Sequence, residues 1–297
     1  MWRGSAIAGC ATSDVSTSLV LPPLSRRHLL GAAVSLVAGH TVGAGRVSAS
    51  DRAAIHVRER AHFVFVHGAF HGAWCWYKVT SALAAAGHQA TALDLPSGGI
   101  DTTPASGVTL EAQAARVIEV LDTLPTPVVL VGHSAGGAVI STVAEKRPER
   151  VAKLVYLTAF LLPNGSSIAR VAAEDSGSLL PQNFVATPDG TVFVRTDNVD
   201  DVFYGACDEA DVALARTLLR PISLLPTVTP VTVGAAFERV RRFYVACRRD
   251  RAISPDIQRA MYAALPCEKV FTLNTDHSPF LSRPAALVRA LGAIARA

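Results

Sequence analysis

A chain of 297 residues, half of them apolar and only 6% aromatic, is too hydrophobic to remain unfolded and long enough for one α/β domain with an insertion. The net charge of +4 lies almost wholly before residue 50, where Arg3, Arg26, Arg27 and Arg46 face Asp14 alone; the rest is near neutral and has no Lys/Arg run interleaved with aromatics, which speaks against nucleic acid as a partner. Cys10, Cys75, Cys207, Cys247 and Cys267 stand far apart, with neither a CxxC pair nor Cys/His metal spacing, so no metal is expected and the last four read as free, small apolar residues.

Within the first fifty residues, Ser25-Arg26-Arg27-His28-Leu29-Leu30 is followed by an uncharged, moderately apolar run from Gly31 to Gly45 and by small residues at Val47-Ser48-Ala49 where cleavage could fall. This resembles a bacterial twin-arginine export signal. His40 and four glycines interrupt the run, which falls short of the ~20 apolar residues of a membrane span. Residues 1–49 are therefore expected to be a leader, and the protein an exported one, periplasmic or secreted, without a stable membrane anchor.

The domain is expected over 50–297. His62-Phe63-Val64-Phe65-Val66 is a buried, β-rich run ended by His67-Gly68-Ala69. A helix over 76–86 closed by Gly87, a strand over 89–94 ended by Pro96 and Gly98-Gly99, and a helix over 109–123 capped by Thr109 follow. Val128-Val129-Leu130-Val131 reads as a strand, Ala138 to Arg147 as a helix stopped by Pro148, and Lys153 to Thr158 as another strand. Residues 165–236 break the rhythm, with helix-like pieces near 176–186 and 208–219, and read as a helical cap insertion over the sheet's carboxyl edge. Alternation resumes with a strand Arg242 to Cys247, a helix over 255–264, a strand Lys269 to Leu273 and an amphipathic helix over 284–296. The expected class is α/β, a doubly wound, mostly parallel sheet covered on both faces.

Gly132-His133-Ser134-Ala135-Gly136 falls between a buried strand and a helix, the context a G-x-S-x-G nucleophile elbow requires. The sharp turn strains the serine backbone, and its flanking glycines let the helix pack closely. A hydroxyl is a weak nucleophile, so a general base and a carboxylate orienting that base are needed, in the chain order Ser, acid, His. His277 follows the last strand. Asp250 directly follows strand 242–247 and is preferred as the acid over Asp276, because neighbours on one loop tend to point apart. Asp94 also ends a strand, but early in the chain, and is given a packing or loop-capping role. The oxyanion needs two backbone N–H donors, assigned to Ala135 and Ala69. No cofactor is expected.

The run His62 to Tyr77, together with Gly87 to Leu95, the elbow, Arg249-Asp250-Arg251-Ala252-Ile253 and Asp276-His277, resembles the plant methylesterase and hydroxynitrile lyase family of α/β-hydrolases, which has bacterial members. The resemblance covers most of 61–297 and implies the α/β-hydrolase fold, the triad Ser134, His277 and Asp250, and oxyanion donors at Ala69 and Ala135. The plant lyases carry Thr, Glu and Lys where Gly68, His133 and Ser278 stand here, so the family's cyanide-stabilising groups are absent and hydrolysis of small or aryl/alkyl carboxylic esters through an acyl-enzyme is favoured. Lyase-type C–C cleavage and a ligand-binding module with a slow triad are the alternatives. Phe70, Trp74, His133, Phe160 and Phe280 are the candidate substrate contacts, with cap residues including Leu161, Leu162, Phe184, Phe203, Tyr204, Leu224 and Leu225 supplying an apolar pocket. The expected partner is a small ester; a homodimer is left open.

Overall fold

The computed structural model describes residues 60–125 and 127–297. The expected leader, Cys10 and the first residues of the expected domain lie outside the described residues.

Among the described residues, nine strands and ten α-helical segments follow one another. The first half contains β1 (His62–Val66), α1 (Tyr77–Ala85), β2 (Gln89–Leu93), α2 (Leu110–Asp122), β3 (Val128–His133), α3 (Gly136–Lys146) and β4 (Val151–Leu157). The cap contributes α4 (Ile168–Ala173), β5 (Phe184–Ala186), β6 (Thr191–Val194), α5 (Glu209–Leu218), β7 (Ile222–Ser223), α6 (Leu225–Val228) and α7 (Ala235–Glu238). The chain returns to the sheet through β8 (Arg241–Cys247), α8 (Pro255–Ala264), β9 (Lys269–Leu273), α9 (Pro279–Ser282) and α10 (Pro284–Arg296).

The main sheet has the order β2-β1-β3-β4-β8-β9, and all five pairings are parallel. Its inner strands β1, β3, β4 and β8 are largely apolar and buried because each face meets helices, whereas the edge strands β2 and β9 are partly exposed. Val64, Val66, Leu130, Leu154 and Tyr156 pack with α2, α3 and α8 on one side. Phe63, Phe65, Val131, Val155 and Phe243 pack with α1 and α10 on the other. Local caps fix the helix starts: Thr109 Oγ1 accepts from Ala112 N–H at 3.1 Å, and Ser254 Oγ from Ile257 N–H at 3.4 Å. The chain runs outward from β1 to β2 and then reverses to β3, which leaves a crevice between the carboxyl ends of β1 and β3, where open parallel sheets bind ligands.

The cap departs from its expected helical character where β5, β6 and β7 form a small antiparallel sheet. Residues 176–186 form no α-helix; a 3-10 turn at Pro181–Asn183 leads into β5, which pairs antiparallel with β6, and β6 with β7. The cause is local: Pro181 denies a helix its N–H, and Thr187-Pro188-Asp189-Gly190 turns the chain back, with Gly190 at φ +80° and Asp189 Oδ1 accepting from Thr191 N–H at 3.1 Å. The helix expected at 208–219 does form, as α5. Cys75, Cys207, Cys247 and Cys267 are all free thiols.

Candidate active site

A sharp turn joins β3 to α3. Ser134 has φ +53°, a left-handed conformation costing a non-glycine residue roughly 1–3 kcal/mol. Its neighbours hold it there: Ser134 N–H donates to Leu157 C=O at 3.3 Å, and Ser134 C=O accepts from Gly137 N–H and Phe160 N–H, both at 3.0 Å. The glycines are dictated by space. A Cβ on Gly132 would lie 2.7 Å from Gly136 O, one on Gly136 2.8 Å from His67 O, and one on Gly137 2.4 Å from Phe160 O. All these obstacles are backbone and cannot swing away. Gly137→Ala is therefore expected to destabilise the protein by about 2 kcal/mol, a fall of roughly 4–8 °C in Tm for a domain of this size, read by thermal denaturation. An unchanged Tm would show that the α3–Phe160 contact can relax.

The carboxyl ends of β4, β8 and β9 deliver the other groups. His277 Nδ1 donates to Asp250 Oδ2 at 2.7 Å, with both side chains buried. Asp250 Oδ1 accepts from Ala252 N–H at 2.7 Å and Ile253 N–H at 2.9 Å, which fixes the carboxylate plane. Its Oδ2 also accepts from the hydroxyl of Thr158 and, at 3.4 Å, from Gln258 Nε2. Thr158 and Gln258 were not among the residues expected from the sequence: neither belongs to a motif, and only the packing of β4 and α8 around β8 brings them to the acid. Asp276 turns the other way. Its Oδ2 accepts from Ala206 N–H of the cap at 2.8 Å and its Oδ1 from Ser282 Oγ at 2.7 Å, so it ties the His277 loop to the cap. Asp94 accepts from Ala73 N–H at 2.6 Å and Ile100 N–H at 3.3 Å, a loop-capping position.

Three further histidines surround the elbow, and their tautomers follow from their partners. His67 donates from Nδ1 to Gly68 C=O at 2.8 Å and accepts at Nε2 from Leu95 N–H at 3.1 Å. His71 donates from Nδ1 to Ala69 C=O and accepts at Nε2 from Tyr204 OH, both at 2.7 Å. His133 donates from Nε2 to His277 C=O at 2.9 Å, while its Nδ1 has no partner among the described residues. Burial lowers the pKa of all three, that of His71 to about 3. They are neutral in the folded state and protonate near pH 6.5 once unfolded. The unfolded chain thus binds more protons below pH 6.5; the contribution of His71 is complete above about pH 6.5 and is lost as pH falls toward 3. Urea midpoints are accordingly expected to be lower at pH 5 than at pH 7.5, with the difference reduced in His71→Gln. Equal midpoints in the wild type would contradict this assignment.

Of the expected substrate contacts, Phe70, His133 and Phe280 are buried to within 1% of full exclusion. The Phe280 ring packs 4.9 Å from His133, and Trp74 stacks on His71 at 5.5 Å. Phe160 is buried with the α2/α3 side of the sheet and meets the elbow through its N–H. In the cap, Phe203 lies 5.5 Å from the His277 ring, whereas Leu161 and Leu162 join the sheet core and Leu224 and Leu225 are exposed.

Ser134 is 7% exposed, and its hydroxyl has no hydrogen-bond partner among the described residues. The N–H groups of Ala69 and Ala135 likewise have no acceptor among the described residues. Both residues line a narrow cavity of about 30 Å³ in the β1/β3 crevice, bounded also by Ser97, Gln113, Ser223 and Thr227. Two uncommitted amide hydrogens beside a strained serine can accept a carbonyl oxygen that becomes negative, and the His277 ring, oriented by buried Asp250, lies 4.5 Å from the ring of His133, the residue before that serine.

The chain matches the model of the alpha/beta hydrolase family over residues 63–290. It is 35% identical over 257 residues to Methylesterase 2 of Arabidopsis thaliana, covering 80% of this chain and 97% of that protein. It is also 35% identical over 252 residues to the chloroplastic protein named methylesterase 11 of the same plant, covering 80% of this chain but only 65% of that longer protein. The crystal structure of methylesterase MES16 from Arabidopsis matches with a TM-score of 0.69 at 29% identity, covering 80% of this chain and 99% of that one.

Proposed function

The chain belongs to the alpha/beta hydrolase family, in its methylesterase-like branch of carboxylic ester hydrolases, and from that premise we propose that it hydrolyses small alkyl and aryl esters through an acyl-enzyme on Ser134. The observation that carries the reading is the Asp250–His277 hydrogen bond beside an elbow serine with positive φ. Ester binding draws the Ser134 hydroxyl onto His277 Nε2, since hydrogen bonds of this kind often tighten only with substrate in place. His277 takes the hydroxyl proton as Oγ attacks the carbonyl carbon, and Asp250 stabilises the imidazolium. The oxyanion lies against Ala69 and Ala135 N–H. His277 gives its proton to the departing alcohol, then takes one from a water that attacks the acyl carbon and returns it to Ser134 Oγ as the acyl–Oγ bond breaks, releasing the acid and free Ser134.

The names of the relatives point to methyl esters. Cyanohydrin cleavage is disfavoured by space as well as by sequence. A Cβ at Gly68 would lie 2.7 Å from Ser134 Cβ and 2.9 Å from His133 Nδ1, so the lyases' threonine has no room here. A panel running from methyl and p-nitrophenyl acetate to long-chain and aryl esters, with mandelonitrile alongside, tests the reading. Ester turnover without cyanide release is expected; cyanide release without ester turnover would overturn it.

A further inference from the structure

We infer that Thr158 is a positioning residue for the acid of the triad, an inference that rests on the serine-esterase reading above. Thr158 follows β4 directly and is fully buried, and its hydroxyl donates to Asp250 Oδ2, the oxygen that also receives His277 Nδ1–H. Two separate observations mark the position as built for this contact. The first is backbone conformation: Thr158 has φ +39°, a region that a β-branched residue enters only when its surroundings force it. Thr158 N–H is bonded to Val245 C=O at 2.8 Å, which anchors the kink to β8, the strand that leads to Asp250. The second is the division of labour around the carboxylate. Oδ1 is held by two backbone amides, while Oδ2, the oxygen that works on the histidine, has only side-chain donors: His277, Thr158, and the longer Gln258 contact at 3.4 Å.

The hydroxyl does two things to that oxygen. It holds one lone-pair direction of Oδ2 occupied so that the other faces Nδ1, and it withdraws charge from the oxygen that stabilises the imidazolium. Gln258 supports the same loop differently: its Oε1 accepts from Cys247 N–H at 3.0 Å and its Nε2 donates to Ile253 C=O at 2.8 Å, so it braces the backbone on both sides of Asp250.

Thr158→Val keeps the shape and removes the donor. It is expected to lower kcat for p-nitrophenyl acetate about fivefold, the worth of one hydrogen bond in orientation, with KM little changed. Because Oδ2 then carries more charge, the protonated histidine is favoured and the acid limb of the pH–kcat/KM profile moves upward, by roughly 0.3–0.5 of a pH unit. Thr158→Ser is expected to restore both parameters. Melting curves on each variant report folding independently. An unmoved acid limb with wild-type kcat in Thr158→Val, or a Thr158→Ser as impaired as Thr158→Val, would overturn the inference, the latter because the methyl group rather than the hydroxyl would then matter. A rise in KM alone would also overturn it, by making Thr158 a substrate contact. Failure of the underlying reading looks different: wild-type turnover would persist in Ser134→Ala whatever stands at position 158.

Discussion

Asp250→Asn is expected to lower kcat by about 10⁴ while leaving the fold intact, and the hydrogen bonds around the carboxylate say why. Oδ1 accepts from two backbone amides, Ala252 and Ile253, which can only donate. The carbonyl oxygen of an asparagine must therefore occupy that side, and its NH₂ must replace Oδ2, 2.7 Å from His277 Nδ1. An NH₂ group there donates, so Nδ1 becomes the acceptor and the ring proton moves to Nε2, the nitrogen that has to take the serine proton. The Thr158 hydroxyl can rotate to accept from the new amide and Gln258 Nε2 keeps Cys247 C=O and Ile253 C=O as acceptors, so the thermal midpoint should move little. Steady-state kinetics on p-nitrophenyl acetate check the prediction. Activity within tenfold of wild type would mean that Asp250 does not control the tautomer, and Asp276, which bonds the cap instead, would have to be reconsidered.

Ser134→Ala should be more damaging still, with kcat down by on the order of 10⁶ and only a residual rate left from the two amides and binding. Reaction of the wild type with a fluorophosphonate should add one adduct at Ser134 by mass spectrometry, and the variant should add none. A companion variant separates chemistry from strain. Ser134→Gly removes the nucleophile too, but relieves a side chain held at φ +53°, so it should melt above Ser134→Ala, by an amount equivalent to about 1 kcal/mol. A glycine variant no more stable than the alanine one would show that the turn's hydrogen bonds to Leu157, Gly137 and Phe160 carry the whole cost of the conformation. Substantial turnover in either variant would remove Ser134 from the mechanism.

The legible parts of the fold share one property, that neighbouring residues suffice to specify them. Helix α8 starts and ends at the residues expected because Ser254 caps it and Pro255 opens it; strand β9 and the last helix, α10, also match. The failure at 176–186 is equally local, an apolar stretch whose Pro181 and downstream Pro188-Asp189-Gly190 turn outweigh its helical spacing. In the site, the elbow and Asp250 could be found from their strand ends. Thr158 and Gln258 could not, since a lone threonine after a strand and a glutamine inside a helix carry no spacing signal. Their role arises because β4 and β8 are parallel neighbours, with Leu157 opposite Val245, so that the residues leaving both strands meet above the sheet.

By itself, then, the order of residues determined the succession of buried strands and covering helices, and the glycine-serine-glycine turn, because apolar runs, caps and the clearance around an α-carbon act within a few residues. Tertiary structure decided which carboxylate serves His277, which nitrogen of each buried histidine holds the proton, and which amides stay uncommitted. Those choices depend on whether a donor or an acceptor stands opposite, and strands far apart in the chain bring that partner only when their register is set.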